Sequence, residues 1–115
     1  MSRRQYMDFI NDIYECINDV GDFIENMTYE EFLKDKKTNY AVLRCIEIIG
    51  EAAKHIPTEI CDKAPDIKWN EIRGMRNRVI HEYFGVDYVI VWKTAREYLP
   101  ELKAKVEALI KLVSG

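Results

Sequence analysis

Histidine, cysteine and proline are scarce in this chain, with 2, 3 and 3 copies among 115 residues. His55 and His81 stand far apart with no cysteine or HExxH-type neighbour, so no structural zinc site is expected. Cys16, Cys45 and Cys61 are odd in number, widely spaced and set in apolar helical context. That pattern predicts buried free thiols rather than a disulfide framework or a metal knuckle. No apolar run approaches the roughly 18 to 20 residues that span a bilayer, and "MSRRQYMDFIND" has no signal-peptide core. A cytoplasmic protein with no membrane partner is expected. There is no internal repeat and no period-two alternation bounded by hairpin turns. The net charge of -3 and pI near 5.4 exclude a surface that is basic all round. Any contact with nucleic acid must come from a local basic patch.

What is present is helical periodicity. The length suits one domain, 1–115, and 48% hydrophobic with 32% charged residues is the balance of a globular chain. Over residues 4–25, Tyr6, Ile10, Ile13, Ile17, Val20 and Ile24 recur at spacings of three and four. Thr28 with Glu31 forms a capping-box pattern that opens a short helix ending near Asp35, followed by a lysine and threonine turn. A second long helix is predicted over 38–55, with Tyr40, Leu43, Ile46, Ile49, Ala53 and Ile56 inward and Pro57 as its stop. At most a turn or two of helix fits between Pro57 and Pro65. A third helix from near 67–70 carries Ile72, Met75 and Val79 inward and contains Gly74, which suggests close packing there. Gly85 marks its exit. Asp87 is placed to cap a last helix through Tyr88, Trp92, Ala95, Leu99, Leu102, Val106, Leu109 and Val113, kinked or restarted at Pro100. The expected fold is all-α, a four-helix bundle with short extra helices. Phe9, Tyr14, Phe23, Ile48, Val89 and Val91 lie beside the seams, a surplus of apolar surface that fits a homodimer or a well-filled monomer core.

One segment departs from the acidic balance. "RGMRNRVIHEYFG", residues 73–85, gathers three arginines, an asparagine, a histidine and a tyrosine. On a regular helix Arg73, Asn77 and His81 share a face, whereas Arg76 and His81 diverge by about 140°. An imidazole meets the Arg76 guanidinium only if the chain leaves the helix near Ile80 or if two subunits contribute. Such a pair suits metal-independent RNA cleavage. Histidine moves the proton of a ribose 2′-hydroxyl or of the leaving oxygen, and arginine stabilises the charge on phosphorus. A solvated basic helix end is the plain alternative. Arg44, Glu47, Glu51 and Lys54 share one face of the second helix, either as solvated pairs or with Glu47 and Glu51 holding arginines of the basic run. Arg73 and Arg78 are open between RNA-backbone contacts and surface pairs, while His55, Trp69 and Trp92 are expected to be structural.

"RNRVIHEY", residues 76–83, has the Arg-x4-His-x-Tyr arrangement of the HepT-like toxins of the HEPN superfamily, which the chain resembles. "RCIEIIGEAAKHIP", "WNEIRGMRNRVIHEYFGVD" and "VWKTAREYLPELKAKVE" are similar to successive helices of that family, in its order. The resemblance implies an all-α HEPN bundle acting as a homodimer with a shared cleft. It implies an endoribonuclease toxin of a type VII-like toxin-antitoxin pair, with tRNA or mRNA as substrate. Arg76 and His81 would be its catalytic pair, supported by Asn77. Tyr83 would be the residue to which a cognate minimal nucleotidyltransferase antitoxin attaches AMP, using ATP. The nuclease itself is expected to need no cofactor. Two other readings stand beside it: a catalytically silent HEPN subunit that binds or regulates a nucleotidyltransferase, and a helical dimerisation module whose basic run meets an acidic partner.

Overall fold

The computed structural model describes residues 5–81 and 85–115. Helix α1 spans Tyr6–Phe23, α2 Tyr29–Lys34, α3 Lys36–Ala53 and α4 Thr58–Cys61. Helices α5, Trp69–Arg73, and α6, Met75–Val79, follow. Strands β1, Ile80–His81, and β2, Gly85–Val86, precede α7, Tyr88–Lys93. A π-helical turn over Thr94–Tyr98 leads into α8, Leu99–Ser114. The fold is all-α, as expected, with four rods: α1, α3, the divided α5 and α6, and α7 running through the π-turn into α8.

The core lies where α1 packs on α3 and α8. Ile10, Ile13, Ile17 and Val20 of α1 are buried, as are Leu99, Leu102, Val106 and Leu109 of α8, as their spacing predicts. Burial of each such side chain is worth about 1.5–3 kcal/mol, far more than a surface ion pair. The Tyr14 hydroxyl donates to Glu107 Oε2 at 2.6 Å and ties the edges of α1 and α8 together. All three cysteines are buried and free. Among the described residues, no helix is long and apolar enough to cross a membrane.

Several boundaries differ from expectation. The predicted start of the first helix, Arg4, lies outside the described residues. The capping box forms: Glu31 N donates to Thr28 Oγ1 at 3.2 Å and Thr28 N to Glu31 Oε1 at 2.8 Å. The lysine and threonine turn does not. Asp35 Oδ1 accepts from Thr38 N at 3.0 Å, so α3 starts at Lys36 directly behind α2. The buried stripe of α3 begins with Asn39 and Val42 rather than Tyr40 and Leu43, and Tyr40 is exposed. The Asn39 amide donates to the Phe32 carbonyl at 3.1 Å, which gives a polar side chain a use under the C-terminal end of α2. Val91, expected at the flank of a seam, is fully buried. Pro100 falls in the first turn of α8, directly behind the π-turn.

The third rod is divided rather than continuous. Gly74 takes φ -92° and ψ 3°, and α5 ends there. Helical bonding resumes on either side, since Gly74 N donates to Asn70 O at 3.1 Å and Arg78 N to Gly74 O at 3.3 Å. Gly74 is not the point of close approach. A Cβ there would meet only Asn70 O and Glu71 O, at 3.5 and 3.9 Å. The tight glycine is Gly50 of α3, where a Cβ would lie 3.2 Å from the Ile72 carbonyl oxygen. The backbone of α5 passes directly over α3 at this glycine. We expect Gly50→Ala to destabilise the chain by about 1–3 kcal/mol, because the obstructing atom is backbone. Gly74→Ala should be neutral or stabilising by up to about 1 kcal/mol. The two urea midpoints check this, and equal losses would contradict the assignment of the contact to Gly50.

Candidate active site

The basic run begins in α5 and continues through α6 into a two-residue ladder. Ile80 has φ -109° and ψ 116°, so the helix is over before His81. Ile80 then pairs with Val86 and His81 with Gly85, antiparallel. No strand was expected, because two residues are too few to show alternation. The regular-helix obstacle to bringing His81 towards Arg76 is thereby removed within one chain. Gly85, at φ 84°, occupies the left-handed region that glycine tolerates without strain.

Arg76 Nε lies 3.3 Å from Glu47 Oε2, a charge-assisted hydrogen bond from α6 to α3. The Arg76 side chain is 56% exposed and that of Glu47 28%. Glu47 takes the Nε–H, and among the described residues the four N–H donors of the terminal nitrogens are left for another anion. Glu51 does not join them; it pairs with Lys54 at 3.5 Å on the open face of α3. Asn77 is exposed beside Arg76 on α6.

Arg73 belongs to a different neighbourhood. It sits before the break at Gly74, which interrupts the face it would share with Asn77 and His81. Its terminal nitrogens donate to Asn70 Oδ1 at 3.1 Å and to Cys61 Sγ at 3.4 Å. Burial pushes the Cys61 thiol up, against the lowering effect of Arg73, so the sulfur is a neutral acceptor there. Arg78 turns to Glu71 at 3.8 Å. Tyr83 lies outside the described residues.

Trp69, Trp92 and His55 make packing and backbone contacts within the bundle. Trp69 Nε1 donates to Cys61 O at 3.2 Å and Ala64 O at 3.3 Å, fastening α5 behind α4. Trp92 packs on Phe32 with ring centroids 5.1 Å apart and lies under the Arg96 guanidinium. His55 stacks on Phe9 at 4.8 Å. Among the described residues, no three His, Cys, Asp or Glu side chains are grouped to hold a metal ion.

One neighbour of the motif was seen in the sequence only as a helix cap. Asp87 Oδ1 accepts from Ile90 N at 3.2 Å, as an N-cap should, but its Oδ2 also lies 4.0 Å from His81 Nε2. Its backbone N donates to the Val79 carbonyl at 2.7 Å, which docks the start of α7 against the end of α6. The six-residue separation of His81 and Asp87 is out of phase with a helical repeat, and the chain reverses between them at the antiparallel ladder, so periodicity could not have linked them.

An arginine and a histidine, each facing a carboxylate from another element, thus stand on α6 and just beyond its end. A family profile described as "Ribonuclease HepT-like" matches residues 13–109, from α1 to α8. The chain belongs to the HepT-like ribonuclease family. It is 48% identical over 115 residues to "Putative RNase MJ1216" of Methanocaldococcus jannaschii, covering 100% of this chain and 95% of that protein. It is 46% identical over 109 residues to "Probable ribonuclease HepT" of Thermococcus cleftensis, covering 95% of this chain and 99% of that one. No solved structure matches. The matched segment of the HepT-like profile contains Glu47, Arg76, Asn77, His81 and Asp87.

The exposure of the Glu47 and Arg76 pair sets the cost of breaking it. Glu47→Ala should change the unfolding free energy by no more than about 1 kcal/mol, since half-exposed pairs are screened and cost side-chain entropy to hold. Chemical denaturation checks this. A loss of several kcal/mol would make the pair a structural element of the bundle.

Proposed function

We propose that this HepT-like protein is the toxin of a toxin-antitoxin pair, a metal-independent endoribonuclease that uses Arg76 and His81. The observation that carries it is the pairing of Arg76 with Glu47 beside a helix that ends in time to release His81. His81, acting as general base, takes the proton of a ribose 2′-hydroxyl. The freed oxygen attacks the adjacent phosphorus, and the bond to the 5′-oxygen breaks, leaving a 2′,3′-cyclic phosphate. The departing oxygen takes up a proton from an imidazolium. The terminal nitrogens of Arg76 stabilise the added charge on the phosphorane oxygens, and Asn77 helps to orient them. DNA has no hydroxyl at that position, which restricts the substrate to RNA.

The protein acts as a homodimer whose two motif helices share the cleft, so that each turnover can draw its base and its acid from different protomers. Exposed Phe23, Tyr40 and Val89 support association by leaving apolar surface uncovered on the single chain. Its partner is a minimal nucleotidyltransferase that uses ATP to attach AMP to Tyr83. The added phosphate carries negative charge two residues from His81 and competes for the guanidinium that the RNA phosphate needs. Neutralisation of this kind requires no change of fold.

Expression without the partner should arrest growth, and Arg76→Ala or His81→Ala should relieve the arrest. Cleavage of total RNA by the purified variants should fall about 10²- to 10⁴-fold, the range for loss of a general acid-base or charge-stabilising group. Intact RNA and normal growth with the wild type would replace the nuclease by the silent-subunit reading. Incubation with ATP and the partner should add adenylate mass to the peptide containing Tyr83. Mass on any other residue, or none, would reject that assignment.

A further inference from the structure

Asp87 has two carboxylate oxygens with two different neighbours, and the sequence accounts for only one of them. Oδ1 accepts from Ile90 N at 3.2 Å and caps α7, while Oδ2 faces His81 Nε2 at 4.0 Å. The carboxylate is not free to swing away. Its backbone N is tied to the Val79 carbonyl at 2.7 Å, and the cap holds the side chain from the other side. His81 is held in turn at its backbone by pairing with Gly85. Its ring is 48% exposed, with Asp87 as its ionic partner among the described residues. A distance of 4.0 Å exceeds the roughly 2.7–3.2 Å of a hydrogen bond. Contacts of general acids and bases commonly tighten only when substrate binds, and rotation of an exposed imidazole closes such a gap.

We propose that Asp87 is a positioning residue for His81, holding the imidazole by Nε2–H so that Nδ1 is the nitrogen that takes the proton from the ribose hydroxyl. The role in catalysis rests on the nuclease function proposed above; the hold on the ring does not. A carboxylate accepts but cannot donate, so it selects the tautomer with the proton on Nε2 and leaves a lone pair on Nδ1. The same side chain therefore starts a helix and sets the protonation pattern of the motif histidine.

Asp87→Asn separates the two duties. Asparagine caps helices as well as aspartate does, so α7 and the melting temperature should be unchanged. The cap requires an acceptor oxygen towards Ile90 N, which turns the amide NH2 towards His81. The imidazole must then accept at Nε2 and carry its proton on Nδ1, the wrong tautomer for the reaction. Nitrogen-15 NMR of the labelled protein reads this directly. There are only two histidines, and His55, stacked on Phe9, serves as the internal control.

The expected result is Nε2–H for His81 in the wild type and Nδ1–H in Asp87→Asn, with His55 unchanged. Asp87→Asn should also lower kcat by about 10²-fold or more while KM stays within about threefold, the signature of a group needed only in the transition state. Asp87→Ala should lower the melting temperature through loss of the cap, and Asp87→Ser should restore the cap without restoring kcat. An unchanged His81 tautomer in Asp87→Asn overturns the proposal whatever the activity. Full activity of Asp87→Asn also overturns it and leaves Asp87 as a cap alone. If the wild type cleaves no RNA but the tautomer inverts, the hold of Asp87 on His81 stands and it is the nuclease function that fails.

Discussion

The approach of the Ile72 carbonyl to Gly50 is the constraint on which the site depends. A Cβ at position 50 would lie 3.2 Å from that oxygen, so the closeness of α5 to α3 at this crossing relies on Gly50 having none. The two rods run in opposite directions at this contact. Three residues before Gly50 on α3 comes Glu47, and four residues after Ile72 comes Arg76, and these two meet at 3.3 Å. The contact that docks the rods thus also fixes which carboxylate reaches which guanidinium. A larger residue at the crossing would press the rods apart and strain a pairing several residues away.

Much of the bundle was legible in the sequence because the long helices bury one face over many turns. Ile10 to Val20 and Leu99 to Leu109 repeat often enough for periodicity to outweigh local exceptions. The start of α3 was less legible. Asn39 is buried to serve the Phe32 carbonyl, while Tyr40, which looks apolar in a list of spacings, faces outward. Hydrophobic pattern cannot register a polar side chain buried for a hydrogen bond. Gly74 misled for a related reason: a glycine inside a helical pattern signals either a break or a contact, and which of the two depends on a partner that sequence does not reveal. The contact belonged to Gly50, inside a helix that looked ordinary.

The site divides along the same line. Arg76 with Glu47 could be suspected because both stood on exposed helix faces with complementary charge. Glu51 looked equally suitable, yet it pairs with Lys54 within its own helix. Arg73 shared the spacing of Asn77 and His81, and the break at Gly74 places it with Asn70 and Cys61 instead. Local order decided these cases, because a neighbour three residues away on the same helix needs no tertiary contact to be reached. The meeting of His81 and Asp87 was illegible because it depends on the antiparallel pairing of two-residue strands, too short to carry a repeat.

Stability and chemistry are held by separate parts of the molecule. The buried isoleucines, valines and leucines of α1, α3 and α8 each contribute about 1.5–3 kcal/mol, whereas the half-exposed pairs around Arg76 and His81 contribute about 1 kcal/mol at most. Charged side chains at that degree of exposure keep most of their hydration, so in the proposed reaction a phosphate would reach the terminal nitrogens of Arg76 without a large desolvation cost. Had Arg76 been fully buried with Glu47, removing the carboxylate's share would leave an uncompensated charge and a penalty of several kcal/mol. In the proposed nuclease, partial exposure is therefore what would let a guanidinium already paired within the fold also serve an incoming anion. Gly50 makes this possible by bringing the rods close enough for Glu47 to steady Arg76 from the side, leaving its solvent-facing end uncovered.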